Sequence, residues 1–375
     1  MADLKDYRLV FVAPARGRTA VGDYAEDFIT PVRPHFGEVV EVRAGSPAED
    51  GVADARRARK AVRDYIATAP HGRVLVHAEL AAGGFVPFWS IVGLPGVPVT
   101  ATIHDPPQGV WWPASTRLLY TSRLLFHGLH FPLQRVTTAF EGRVYARRTL
   151  IALTETGRSA IEQRYPHIAA VHIPHIVRDR PTIRPAQDRP KAVGFFGHVY
   201  RGKGFEQIAR IRQELPDDVV IRVAGRGTET LPGGDGIEIL GAVDGPDEDA
   251  FFESVRAIVV PYGKRHWQDV TYPASGVVAH AMAYRTPTVA TGYGSLAELD
   301  TKAGAVVVPG NHAEPGAVAT ELARAISTLV NDEARLTELG EYSEKTRQVR
   351  SGPRTAEAFA AVWARMLDQP AGRRG

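Results

Sequence analysis

The sequence predicts two open α/β domains in series, each a parallel sheet covered by helices. Three observations lead there. Short runs rich in valine and isoleucine alternate with helical stretches along most of the chain, the pattern of strand–helix–strand units. A stretch crowded with proline and charge, Arg178 to Pro190, cuts that series in two. The length, 375 residues, is too great for one typical domain and comfortable for two.

Taken in order, the first series has expected strands at Arg8–Ala13, Val39–Val42, Arg73–His77, Pro98–His104, Leu150–Leu153 and Ala170–Pro174. Such continuous apolar runs suit strands buried on both faces. Helices are expected between them, for example over Ala48–Ala67 and Gly157–Tyr165. The proline-rich stretch makes a poor helix and a poor strand. It reads as a linker over residues 178–191 between a domain at 1–177 and one at 192–350. The second series has expected strands at Ala192–Gly197, Val219–Ala224, Ile237–Leu240, Ala257–Pro261, Thr288–Ala290 and Ala305–Val308. Its helices are expected at Phe205–Leu215, Asp247–Val255, Ser275–Tyr284 and Pro315–Leu329, with further helices at Asp332–Gln348 and Arg354–Leu367. Ile208, Ile211 and Leu215 recur at helical steps and give the first of these a buried stripe. Residues 351–375 form a C-terminal helix and tail, expected to cross back to the N-terminal domain.

Composition excludes several classes of function. There are no cysteines, so disulfides, zinc–thiolate sites and cysteine nucleophiles are ruled out. Hydrophobic residues at 44% and charged residues at 23% are ordinary for a globular chain. A net charge of +3 is too small to argue for nucleic-acid binding. The polar N-terminus is no secretory signal and no apolar run reaches membrane-spanning length, so a cytoplasmic location is expected. Between Arg117 and Phe140 there is no acidic residue, and Arg117, Arg123 and Arg135 stand among Leu, Tyr and Phe. That stretch is either a surface for anionic lipid at the inner face of the membrane or an insertion packed on the first domain.

Two motifs could carry chemistry. Gly197-His-Val-Tyr-Arg-Gly-Lys203-Gly204 follows a strand and opens a helix. Glycine permits close backbone approach, the helix start presents free amides, and Lys203 adds a full positive charge, which together suit a phosphate. The spacing of Gly197, Gly202 and Lys203 partly matches a triphosphate-binding loop, but Gly204 stands where the magnesium-holding hydroxyl should be. In the second motif Ser275 is a good helix N-cap and Gly276 leaves the first-turn amides open, a second candidate anion site in the same domain. Asp247-Glu-Asp249 has the spelling of a metal-binding acidic string. It directly precedes an apolar helical run, so it reads as acidic decoration of a helix start, and no metal site is assigned.

Residues 192–310 resemble the retaining glycosyltransferases of the two-Rossmann-domain (GT-B) class, particularly family 4. The resemblance rests on Gly197-His198 with Lys203-Gly204, on Ala224-Gly225-Arg226-Gly227 and Gly241, and on Val260-Pro261. Ala281-Met282-Ala283, Thr286-Pro287, Val289-Ala290-Thr291, Gly292, Gly294 and Glu298-Leu299 continue it. The first half resembles the family more faintly, at Gly22-Asp23-Tyr24, Thr102-Ile-His104-Asp105, Thr154-Glu-Thr156 and Ile173-Pro174-His175. The resemblance implies two Rossmann-like domains facing each other across a cleft, and transfer of a sugar from a UDP- or GDP-linked donor to an acceptor hydroxyl with retention. It implies that Gly22 lies near donor phosphate and acceptor and that His104 touches the transferred sugar. A buried histidine satisfied by backbone is the other reading of His104.

Three positions depart from the family. His198 stands for its donor-binding arginine, and Tyr272 and His280 stand for its two donor-site glutamates. Ser275-Gly276 looks like the Ser-Gly variant found in some relatives. The leaving diphosphate is expected against Lys203, His198 and the helix start at Ser275-Gly276, with no metal and no cofactor beyond the nucleotide-sugar substrate. The acceptor is a saccharide, a lipid-linked molecule or a small molecule. The rival functions are a sugar-nucleotide epimerase or hydrolase and a degenerate nucleotide-sugar-binding subunit.

Overall fold

A computed structural model describes residues 2–110, 123–264, 271–309 and 315–368. The chain divides into two compact units. One comprises Met1–Ile176, Thr271–Ala274 and Gly352–Gly375; the other comprises Val177–Val270 and Ser275–Ser351. Each is built on a six-stranded parallel sheet with flanking helices.

In the N-terminal unit the strands are β1 (Arg8–Pro14), β2 (Glu38–Ala44), β3 (Val74–Leu80), β4 (Val99–Ile103), β5 (Thr149–Ala152) and β6 (Ala169–His172), in the spatial order β2-β1-β3-β4-β5-β6. All twelve expected strands of the chain are present, with ends within three residues of those expected. Side chains alternate across β1, an interior strand of this sheet. Leu9, Phe11 and Ala13 enter one core with Phe28 and Trp363, while Val10 and Val12 enter another with Val62, Phe88 and Tyr145. Helices on both faces are therefore obligatory, since either face left bare would expose an apolar layer. They are α1 (Ala20–Val32), α2 (Val52–Ala67), α3 (Phe85–Ile91), α4 (Arg123–Tyr145) and α5 (Glu155–Arg164). The C-terminal helix Gly352–Asp368 belongs to this same unit, where Phe359 and Trp363 pack on α1 and the sheet. Three of these helices, α1, α3 and α4, go beyond the sequence reading; α1 carries Pro31 near its end and α4 carries Pro132.

The C-terminal unit contains β7 (Ala192–Phe196), β8 (Val220–Ala224), β9 (Ile237–Gly241), β10 (Ala257–Val260), β11 (Thr288–Thr291) and β12 (Ala305–Val308), ordered β12-β11-β10-β7-β8-β9. This order reverses direction between β7 and β10, which makes a topological switch point at their carboxyl ends. Its helices are α6 (Ile208–Glu214), α7 (Pro246–Glu253), α8 (Gly276–Ala283), α9 (Pro315–Val330) and α10 (Glu333–Val349); Gly352–Asp368 above is α11.

Residues 178–191, expected as a linker, are an integral part of this unit. Arg189 is only 2% exposed. Its guanidinium donates to the carbonyls of Arg184, Phe252, Val255 and Tyr284 and to Thr286 Oγ1, at 2.7–3.2 Å. Phe252, Val255 and Tyr284 lie at the C-terminal ends of α7 and α8, where unpaired carbonyls favour a cation. The proline-rich composition conceals a bracket that ties two helix ends together. Thr271–Ala274 likewise depart from the sequence order. They lie with the N-terminal unit, where the Tyr272 amide donates to Pro106 O at 2.8 Å and its carbonyl accepts from Thr154 Oγ1 at 3.1 Å.

Candidate functional site

In the C-terminal unit, the loops leaving β7 and β10 lie together at the switch point. Gly225 follows β8 with φ of +131°, and a Cβ there would lie 2.0 Å from Gly197 O, so the two strand ends abut through bare backbone. The Gly197 amide donates to Ala224 O at 2.9 Å, and Val199 donates to Arg226 O at 3.1 Å. The chain then turns through Lys203, whose amide donates to Tyr200 O at 3.2 Å. Gly204 caps the following helical turn in the left-handed region, φ +78°, with the position of a Cβ only 2.1 Å from Pro261 O. Only glycine brings the Lys203 turn this close to the end of β10.

Tyr262, the second residue after β10, joins the two sequence motifs. The Lys203 ammonium sits 3.8 Å from the Tyr262 ring centroid and 5.2 Å from that of Tyr200. The Tyr262 hydroxyl shares a hydrogen bond of 3.1 Å with Ser275 Oγ. Ser275 is the N-cap of α8 and its Oγ accepts from the Val278 amide at 3.3 Å. The amides of Gly276 and Val277 have no intrahelical acceptor, and a Cβ on Gly276 would meet nothing within 4 Å. The Val277 side chain reaches to 3.1 Å from the Cβ position of Gly197. Burial raises the Tyr262 phenol, so the ring under the cation is neutral. Gly197, Lys203, Ser275 and Gly276 are thus brought together, with His198 in the loop that connects the first two. Thr291 Oγ1 donates to Tyr262 O at 2.6 Å and holds this residue from the far side. Sequence reasoning missed Tyr262; its signal was its place just past the strand ending in Val260-Pro261.

His280, expected at the donor site, has one ring nitrogen engaged by a carboxylate. Its Nδ1 lies 2.9 Å from Glu248 Oε1, and Arg180 donates to both Glu248 oxygens at 2.9 and 3.0 Å. Burial pushes the Glu248 carboxyl up, but the His280 hydrogen bond and the nearby charges outweigh it and hold the group below its ordinary range. Of the acidic string, Asp249 accepts from the Tyr284 hydroxyl at 2.5 Å and Glu248 serves the Arg180–His280 cluster. All three acids stand in the first turn of α7.

In the N-terminal unit, His104 stands just past β4 and its side chain is 10% exposed. Its Nε2 is 2.7 Å from Glu79 Oε2, which rules out a histidine satisfied by backbone alone. The Tyr24 ring meets the His104 ring edge-on at 4.8 Å and that of His175 at 5.0 Å. Asp105 accepts from the Ala82 amide at 3.0 Å, a turn role. Gly22 lies inside the first turn of α1, past the N-cap Thr19, rather than in the turn before it. Its Cβ position is 2.1 Å from Ala15 O, so glycine is needed for the loop leaving β1 to fold over the helix start. Of the basic segment 117–140, residues 117–122 lie outside the described residues. Further along, Phe140 packs on Phe88 and Trp89 while Arg135 is exposed. Among the described residues no helix is long and apolar enough to cross a membrane.

Two six-stranded parallel sheets with flanking helices, one with a glycine–lysine turn at its switch point, have the architecture of the GT-B fold. Residues 190–332 match the family described as glycosyl transferases group 1, so the C-terminal unit carries a glycosyltransferase domain. Solved structures agree on the fold. HepE from Anabaena in complex with UDP superposes with a TM-score of 0.62 at 12% identity, covering 96% of this chain and 100% of that one. AviGT4, a glycosyltransferase involved in avilamycin A biosynthesis, gives 0.57 at 16% identity, covering 97% and 98%. WaaG, a glycosyltransferase involved in lipopolysaccharide biosynthesis, gives 0.59 at 11% identity, covering 94% and 99%. No curated protein sequence matches the chain significantly.

Proposed function

We propose that this enzyme moves a sugar from a UDP- or GDP-linked donor to an acceptor hydroxyl with retention of configuration and without a metal ion. The observation that carries the reading is the convergence of the Lys203 turn and the Ser275 helix start on Tyr262. A diphosphate leaving group needs preorganised positive charge and N–H donors. Lys203, His198 and the Gly276 and Val277 amides are of that kind, each worth roughly 3–4 kcal/mol by analogy with an oxyanion-hole donor. UDP in the HepE structure supports uridine as the base. From the N-terminal unit, His104 is the group assigned to a hydroxyl of the transferred sugar, and Gly22 to the backbone near donor and acceptor. Tyr272 and His280 stand at the donor positions of the family; the engagement of His280 Nδ1 with Glu248 leaves its Nε2 as the atom for a ligand. The site acts by position and electrostatics, since orienting the acceptor hydroxyl against the anomeric carbon supplies much of the acceleration.

The test is incubation with a panel of nucleotide sugars, following free nucleoside diphosphate with and without saccharide or lipid-linked acceptors. Acceptor-dependent release is expected. Equal release without acceptor makes the protein a hydrolase, and tight binding without release makes it a binding subunit. Either result overturns the proposal.

A further inference from the structure

His104 is the outermost member of a buried polar chain that runs through the N-terminal unit. Glu79, on β3, is fully buried and uses both oxygens: Oε2 meets His104 Nε2 at 2.7 Å and Oε1 meets His77 Nε2 at 3.1 Å. His77, also fully buried, has its Nδ1 2.8 Å from Thr100 Oγ1, and Thr102 Oγ1 lies 3.2 Å from its Nε2. Thr100 Oγ1 in turn accepts from the indole N–H of Trp363, on α11, at 3.0 Å.

The indole sets the direction of the whole chain. It can only donate, so Thr100 Oγ1 accepts there and its own proton is free for His77 Nδ1. If His77 Nδ1 carried a proton instead, the buried Thr100 hydroxyl hydrogen would lose this acceptor. His77 therefore holds its proton on Nε2 and donates it to Glu79. Burial pushes the Glu79 carboxyl up, but the hydrogen bonds from His104 and His77, together with the electrostatic attraction between those rings and the carboxylate, outweigh it and bring it down to about 2. An ionised carboxylate has no proton to give, so His104 too must donate to it from Nε2.

We infer that Glu79 is a positioning residue for His104: by taking its Nε2–H it leaves the Nδ1 lone pair as the acceptor this ring offers to a sugar hydroxyl. The functional half of this inference rests on the assignment of His104 to the transferred sugar. The other groups around His104 leave that arrangement intact. Tyr24, from α1, presents its ring, and its buried hydroxyl has no hydrogen-bond partner among the described residues. His175 lies beyond Tyr24 with its Nδ1 on Ile176 O at 2.7 Å, Asp27 is on the same helix as Tyr24, and Asp105 is turned to the Ala82 amide. The part of α11 is unusual for a terminal helix: through Trp363, Thr100 and His77 it sets the proton positions of a residue it does not touch.

Nitrogen-15 NMR of the whole protein labelled at histidine tests this near neutral pH, with the His104 signals assigned by their loss in His104→Gln. Wild-type His104 is expected as the neutral Nε2–H form. A ring protonated at Nδ1, or at both nitrogens, overturns the inference. In Glu79→Gln the amide can turn either face to Nε2, so a mixture of the two neutral forms is expected, with kcat for acceptor-dependent transfer down at least ~10-fold and donor KM little changed. Trp363→Phe loses the donor along with some buried volume, and a smaller change of the His104 ring form in the same direction is expected. A residue with only a structural part would shift the melting temperature and leave the His104 ring form and the kcat-to-KM split alone; that pattern in Glu79→Gln overturns the inference. Wild-type turnover in His104→Gln would instead overturn the placement of the sugar, while the ring form of wild-type His104 still decides the hydrogen-bond chain.

Discussion

The Lys203 ammonium stands 3.8 Å over the ring of Tyr262, a residue 59 positions further on and the hydrogen-bond partner of the Ser275 cap. The ring orients the cation by its quadrupole and does not itself neutralise it. A carboxylate in the place of Tyr262 would pair with Lys203 and compete with a phosphate.

Lys203→Ala is expected to lower turnover by ~10²-fold or more with the fold retained. Steady-state kinetics with the best donor, beside a circular-dichroism spectrum, check this. Turnover near wild type would place the diphosphate elsewhere.

Tyr262→Phe keeps the ring under Lys203 and loses only the hydrogen bond to Ser275. It should cost about 1 kcal/mol of stability and less than ~10-fold in turnover. Tyr262→Leu removes the ring and should weaken binding of the diphosphate product in calorimetry. Equal product affinity in wild type and the leucine variant would deny the tyrosine any part in holding the lysine.

Gly204→Ala places a Cβ 2.1 Å from Pro261 O at a φ of +78°. Strain of that kind costs of order 1–3 kcal/mol or forces the turn away from β10. Urea denaturation should show the loss, and turnover should fall with it as Lys203 is displaced.

Arg189→Met removes five donor contacts and leaves the helix-end carbonyls of Phe252, Val255 and Tyr284 without this donor. The expected loss is about 3 kcal/mol or more in urea denaturation. A loss within about 0.5 kcal/mol, the range of ordinary surface substitutions, would return this stretch to the status of a linker.

Stability should depend on pH through two buried carboxyls with opposite signs. Glu141 accepts from the Gly109 and Val110 amides and from the Tyr165 hydroxyl, but burial outweighs these and raises it from 4.5 to about 7. Its folded value lies above its unfolded one, so its contribution is fully present below about 4.5 and is lost as pH rises through 7. Glu79, lowered from 4.5 to about 2, contributes above 4.5 and loses that contribution as pH falls towards 2. Glu141→Gln should therefore be more stable than wild type above pH 7 by roughly 2–3 kcal/mol and nearly equal to it at pH 4. Denaturant unfolding across that range checks the slope, and an unchanged slope in the variant would exclude Glu141 as its source.

All twelve strands were legible in the sequence: the interior ones are buried on both faces and have to be apolar throughout, as Val10 or Val259 announces locally, while edge strands such as β2 and β9 are only partly buried and still carry valine or isoleucine. The glycine–lysine turn and the Ser275 cap were legible for a similar reason: their chemistry is local backbone chemistry. The bounds of helix α1 were not, because Gly22 and Pro31 signal breaks along the chain; the need for glycine at 22 comes from Ala15 O, seven residues away in sequence and 2.1 Å from its Cβ position. Arg189 was read as linker charge for the same reason, since the carbonyls that make its burial affordable belong to α7 and α8. By itself, then, the sequence determined the layered α/β class, the family resemblance and two glycine-opened helix starts as candidate anion sites. Only the tertiary structure decided that Tyr262 joins those starts, that His280 turns to Glu248, and that Trp363 reaches Glu79 and His104 through Thr100 and His77. Periodicity and capping are written in neighbouring residues, whereas a hydrogen-bond chain or a cation over a ring depends on which distant segments the sheet order lays side by side.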